Sequence, residues 1–164
     1  MNANLQKAID SLDIHDVYLR GSIAKCFDDF DPKYNNELEK LAFQTKHIVK
    51  QSEVVEVGKE IVELKKRQLL LRVFIDFGVR WVDTSIEDEA QSVCAMIEAE
   101  FVAEYVIKEE MDQACIDEYA RKNASYHVWP YWREFLMNQC NRMHLPRLVL
   151  PAMQLAHNRH QPDN

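Results

Sequence analysis

The chain has 164 residues, 47% of them hydrophobic, and its 27 acidic against 20 basic residues give a formal charge of −7. A chain of this length buries about two-thirds of its unfolded surface in one domain without metals or disulfide staples. Its Lys and Arg are scattered, which excludes a general nucleic-acid binder, since phosphate contacts need a basic face; a basic or cationic partner fits the net charge better.

The opening "MNANLQKAIDSLDIHD" has no apolar core of the length a secretory signal needs, and no segment nears the roughly 20 continuous apolar residues of a membrane span. The expectation is a cytoplasmic protein without membrane insertion. From Asp16, "DVYLRGSIAKCF" alternates through Val17, Leu19, Gly21, Ile23 and Phe27, which predicts a first strand. The turn-rich "DDFDPKYNNE" follows, and "LEKLAFQTKHIVKQSEVVEV" predicts a second strand carrying Leu41 and Phe43.

The clearest alternation begins at Gln68. Leu69, Leu71, Val73, Ile75, Phe77, Val79 and Trp81 are apolar, with Arg72, Asp76 and Arg80 among the intervening positions. After the turn "DTSIEDE" the alternation resumes at Val93, Ala95, Ile97, Ala99, Phe101, Ala103, Tyr105 and Ile107, while Glu98, Glu100 and Glu104 face the other way. The two runs predict a hairpin. At about 3.3 Å per residue its strands reach roughly 50 Å, so they need a large surface to lie against.

Beyond Met111 the period becomes helical. Asp112 is a candidate cap for a helix bearing Ala114, Cys115, Tyr119 and Ala120, and Val128, Trp132, Phe135, Leu136, Cys140 and Met143 recur at helical spacing. Pro130 either sits in the first turn of that second helix or lies inside one long helix. Pro146 is expected to end it, and Pro151 to open a short last helical piece through Ala152, Met153 and Leu155. The fold class is therefore α+β, a four-stranded antiparallel sheet with C-terminal helices packed on one side. One domain spans residues 1–156, followed by a tail at 157–164.

Residues with catalytic or ligand chemistry are dispersed. Cys26, Cys94, Cys115 and Cys140 form no Cys-x-x-Cys pair, and His15, His47, His127 and His144 stand apart, with the one close pair, His157 and His160, in the tail. Glu98, Glu100 and Glu104 read as a solvated acidic face, because no nucleophile motif or phosphate loop accompanies them. No catalytic residue, metal or cofactor is assigned. An enzyme or small-ligand binder, with a pocket between a curved sheet and its helices, is the alternative from another class.

"WPYWRE" (Trp129 to Glu134) followed by "NRMHLPRLVLP" (Asn141 to Pro151) resembles the SecB export-chaperone family. Pro130, Tyr131, Arg133, Glu134, Arg142, Pro146, Leu148 and Leu150 fall in step with that family's pattern, and "EKLAFQT" is similar to its second strand. The resemblance implies a bacterial or phage-encoded holdase that grips non-native polypeptide in surface grooves without nucleotide, assembled as a dimer of dimers, with the SecA motor as a further partner. Met143 stands where the family has glycine, the proline after Leu150 is displaced by one position, and "HNRHQPDN" replaces the family's acidic tail. These departures favour service to the antitoxin of a toxin–antitoxin–chaperone system over general delivery to the Sec machinery. The expected client-binding residues are Phe27, Phe30, Tyr34, Leu41, Phe43, Leu150, Met153 and Leu155. Trp129, Tyr131, Trp132, Phe135 and Leu136 are expected to serve core or subunit packing.

Overall fold

The structure is a computed structural model and describes residues 2–58 and 68–153. Its four long strands, β1 (Leu12–Cys26), β2 (Ala42–Val57), β3 (Gln68–Val82) and β4 (Val93–Ile107), form one antiparallel sheet in the order β1-β4-β3-β2. β2, β3 and β4 follow one another as a meander, and β1 returns beside β4 in a Greek-key arrangement. The expected hairpin is β3–β4, fifteen residues in each strand. Between them Asp83 bonds Ser85, and Asp88 caps the single helical turn α2 (Glu89–Ser92).

Two local readings change. The alternation predicts that β1 starts near Val17, whereas it starts at Leu12, directly after a helix the sequence pattern does not reveal, α1 (Ala3–Ser11). Register shifts at Ile14/Asp16 and Leu19/Gly21 break the period in β1, so Ile23 sits opposite Glu98 on the outer face and is exposed, whereas Leu19, still in phase with buried Val17 and opposite Phe101, is exposed at the sheet edge.

One sheet face carries the core. On it β4 alternates small with large side chains, Ala95, Ile97, Ala99, Phe101, Ala103 and Tyr105, all buried. The alanines leave hollows into which helix side chains settle. The helical residues run without interruption from α3 (Gln113–Tyr119) through a π-helical stretch at Ala120–Ala124 into α4 (Ser125–Arg142). Pro130 thus lies inside a long helical run and leaves the carbonyl of Tyr126 without its usual helical donor. α4 buries Val128, Trp132, Leu136 and Cys140, spaced four apart, against the sheet.

The central contact lies where Phe77 of β3 pairs with Ala99 of β4. The small partner gives the Phe77 ring room to stack with Trp132 at 5.6 Å and 13°, and with His47 at 4.9 Å and 5°. Trp129 tilts against it at 5.6 Å and Phe101 meets it edge-on at 6.3 Å. Two polar contacts pin the start of α4 on either side of β3. His47 Nε2 of β2 lies 2.6 Å from Ser125 Oγ, and Tyr105 Oη of β4 lies 2.9 Å from His127 Nδ1, each a hydrogen bond whose donor is set by the imidazole tautomer.

α4 ends before Pro146. His144 adopts φ 56°, and the N–H of Leu145 donates to the Cys140 carbonyl at 3.0 Å, a left-handed cap that turns the chain back. The expected last helix is absent from Pro151 to Met153. The Pro151 carbonyl accepts Trp129 Nε1–H at 2.7 Å instead of starting a helical ladder. Leu155 and the tail at 157–164 lie outside the described residues.

Truncating Trp132 to alanine removes the ring stacked on Phe77 and should cost about 3–5 kcal/mol by denaturant unfolding; a loss below about 1 kcal/mol would mean that this contact does not hold the helix down. Burial lowers the pKa of both His47 and His127 below the usual 6.5. The unfolded chain therefore takes up protons that the folded chain refuses, so their contribution to stability is whole above about pH 6.5 and is lost as pH falls through the depressed folded values. Unfolding midpoints measured from about pH 7.5 down to about pH 5 should fall in the native chain and flatten in the His47→Gln/His127→Asn double variant.

Candidate functional site

Three of the predicted client-binding residues converge. After the left-handed cap the chain runs back along α4, with Leu148 beside Cys140 and Pro151 bonded to Trp129. Between this returning segment and β2 lies a cavity of about 350 Å³ lined by Phe43, Trp129, Trp132, Leu148, Leu150 and Met153, among others. A second cavity of about 330 Å³ continues past Trp129 and Met153, which line both, toward Tyr126, His127, Pro130 and Arg133. Together they form one trough. It opens to solvent, since Phe43 is 53% exposed and Val149 is 70% exposed. β2, which forms one wall, is an edge strand paired only with β3, so alternate backbone N–H and C=O groups along it face outward.

The other expected residues lie elsewhere. Phe27 and Phe30 are half-buried at the end of β1, where Lys25 Nζ lies 4.6 Å over the Phe27 ring and Phe30 packs on the core. Leu41 also packs on the core, and Tyr34 is 74% exposed in a short 3-10 turn. None of these four lines either cavity.

The packing assignments divide as well. Trp132 and Leu136 are buried and Phe135 is half-buried against the core, as expected. Tyr131 is 49% exposed, so it is not a core residue: it lies one residue from the buried stripe and turns to solvent. Trp129 is partly a wall of the trough. Its position one residue after Val128 rotates it about 100° around the helix from the centre of that stripe, the one signal in the sequence that it sits at an edge.

The opposite face of the sheet is not the free acidic surface the sequence suggests. Glu98 accepts from Lys46 at 3.0 Å, and Glu100 accepts from Arg20 at 2.7 Å and Lys50 at 2.5 Å. Glu104 accepts from the Tyr18 hydroxyl at 3.0 Å and lies 3.3 Å from Arg72 Nε. The hydrogen bonds from Lys50 and then Arg20 hold the Glu100 carboxyl below its ordinary pKa. Gly78 permits one of these bridges: Lys46 and Glu98 flank it on the neighbouring strands, and a Cβ there would sit 3.2 Å from Glu98 Cγ. Among the described residues no group of three or more His, Cys, Asp or Glu is placed to hold a metal ion, and all four cysteines are free. No described helix is long and apolar enough to cross a membrane.

No family model and no curated protein matches the chain. Among solved structures it is similar to the Mycobacterium tuberculosis SecB-like chaperone Rv1957, which was solved in complex with a ChAD peptide from the Rv1956 HigA1 antitoxin. The TM-score is 0.67 and the identity 17%, over 93% of this chain and 98% of that one. At that identity the likeness establishes the fold, and the fold of this chain is SecB-like.

Proposed function

We propose that the protein is an ATP-independent holdase that keeps an aggregation-prone polypeptide, the antitoxin of a toxin–antitoxin–chaperone system, from self-association in the cytoplasm. The observation that carries this reading is the open apolar trough beside the free edge of β2. It lies on a fold shared with a chaperone solved holding an antitoxin peptide. A folded client hides its apolar side chains, so such a trough discriminates unfolded chains without reading a sequence. Covering roughly 800 Å² of apolar surface at about 25 cal/mol per Å² supplies about 20 kcal/mol gross, enough to exceed association costs of about 4–15 kcal/mol.

The dedicated role is favoured over delivery to SecA because the outer sheet carboxylates are already matched by Lys46, Lys50, Arg20 and Arg72. An acidic docking face would present those charges unpaired. The rival small-ligand binder or enzyme calls for an enclosed pocket, whereas this trough is open at Phe43 and Val149. A homo-oligomer, built as a dimer of dimers, accounts for exposed apolar groups outside the trough, among them Ile14, Leu19 and Ile23 on edge strand β1 and Tyr131 on α4.

Light scattering of an aggregating antitoxin, and of a chemically unfolded test protein, should be suppressed by stoichiometric amounts of this chain. The Phe43→Asp/Met153→Asp double variant should lose at least about fivefold in potency while keeping its circular dichroism. Failure to suppress aggregation of every client tested would reject the holdase reading. Native mass spectrometry should give four times the 19.3 kDa chain, and Ile23→Glu should shift it toward smaller species; a monomer would remove the assembly.

A further inference from the structure

The charges of the trough differ in kind from those of the whole molecule. The chain carries −7 overall, yet among the described residues no carboxylate lines either cavity; the basic groups there are Lys46, His47, His127 and Arg133. Three of these already have partners: Lys46 is paired with Glu98, His47 with Ser125 and His127 with Tyr105. Arg133 has none. Among the described residues the other half-buried cations, Lys46, Arg72, Arg80 and Lys122, each hold an ion pair, and Arg133 is the half-buried one without an anion. Its neighbour Glu134 is bonded to Asn138 and lines neither cavity.

From this we infer that the client segment seated in the trough is anionic as well as apolar, with an Asp or Glu side chain that pairs with Arg133. This rests on the holdase reading above and specifies the chemistry of its client. A guanidinium offers five N–H donors in a fixed fork matched to a carboxylate, and it is worth more beside an apolar wall than in open water. Trp129 and Arg133 lie four residues apart on α4, and so share one face about 6 Å apart along the axis. An extended chain advances about 3.3 Å per residue and returns to the same side every second residue. The acid therefore belongs two residues from the apolar side chain that rests on Trp129. The net charge draws basic chains at long range, while selection inside the trough runs the other way.

The test uses full-length protein and three peptides, acetylated and amidated so that only side-chain charge differs. They share an apolar sequence with one tryptophan and carry Glu, Gln or Lys two residues from it. Calorimetric titration should give roughly tenfold tighter binding for the Glu peptide than for the Lys peptide, with Gln between them. Arg133→Gln should cut the Glu advantage over Gln to less than about twofold, whereas Arg133→Lys should retain part of it. Equal affinities, a Lys preference, or a Glu preference that survives Arg133→Gln would overturn the inference while leaving the holdase reading in place. So would a change in native mass on Arg133→Gln with no change in peptide preference, which would assign Arg133 to a second copy of the chain. Binding of none of the three peptides would reject the holdase reading itself, and this inference with it.

Discussion

The stacking of Phe77 with Trp132 and His47 is the contact on which the rest of the structure depends. It works because the opposite residue on β4 is Ala99, whose single methyl leaves space for a ring and for the helix above it. Once Trp132 is seated, helical geometry leaves no freedom in where Trp129 and Arg133 stand. The returning segment then has a defined wall to run along, and the bond from Trp129 to the Pro151 carbonyl fixes its distance from α4. The width of the trough is therefore set by a core contact made at its own wall, where His47 and Trp132 both line it.

The two sheet faces solve different problems. The inner face is closed by helices and aromatic packing. The outer face has no layer over it, and Glu98, Glu100 and Glu104 are accommodated by cross-strand cations and by Gly78, which lets Lys46 reach over β3. Exposed ion pairs contribute little stability each, typically 0 to about 1 kcal/mol. Their larger effect is to remove unpaired charge and to tie β1 and β2 to the central strands. Phe74 illustrates it: it is buried on a face that no helix covers because Arg20 and Arg72 lie over its ring at 5.7 and 5.2 Å.

Much of this was legible in the residues themselves. The period of two holds from Leu71 to Trp81 in β3 and from Ala95 to Tyr105 in β4, as does the helical spacing of Val128, Trp132, Leu136 and Cys140, because these stretches lie under one continuous core, while Leu69 at the start of β3 is exposed. β1 was misjudged in its extent and facing because an edge strand with two register shifts carries no continuous phase. α1 escaped notice because nine residues with only Leu5, Ala8 and Ser11 buried leave a faint stripe. Of the expected client-binding residues, Phe43, Leu150 and Met153 line the trough, while Phe27, Phe30 and Tyr34 around the first turn, and Leu41 just before β2, lie away from it. Pairing between Lys and Glu on different strands cannot be read until the strand order is known.

That strand order carries a cost in time. β1 pairs with β4, joining Leu12 to Ile107, and with no other strand, so it waits for its neighbour until β2, β3 and β4 have all been made. Such sequence-distant pairing is slow, because the closure entropy of the loop must be spent before any ladder forms. Throughout that interval the nascent chain shows bare strand edges and unpacked hydrocarbon. The apolar face of β3 and β4 in particular stays open until α3 and α4, which follow them in the chain, have been made and can close it.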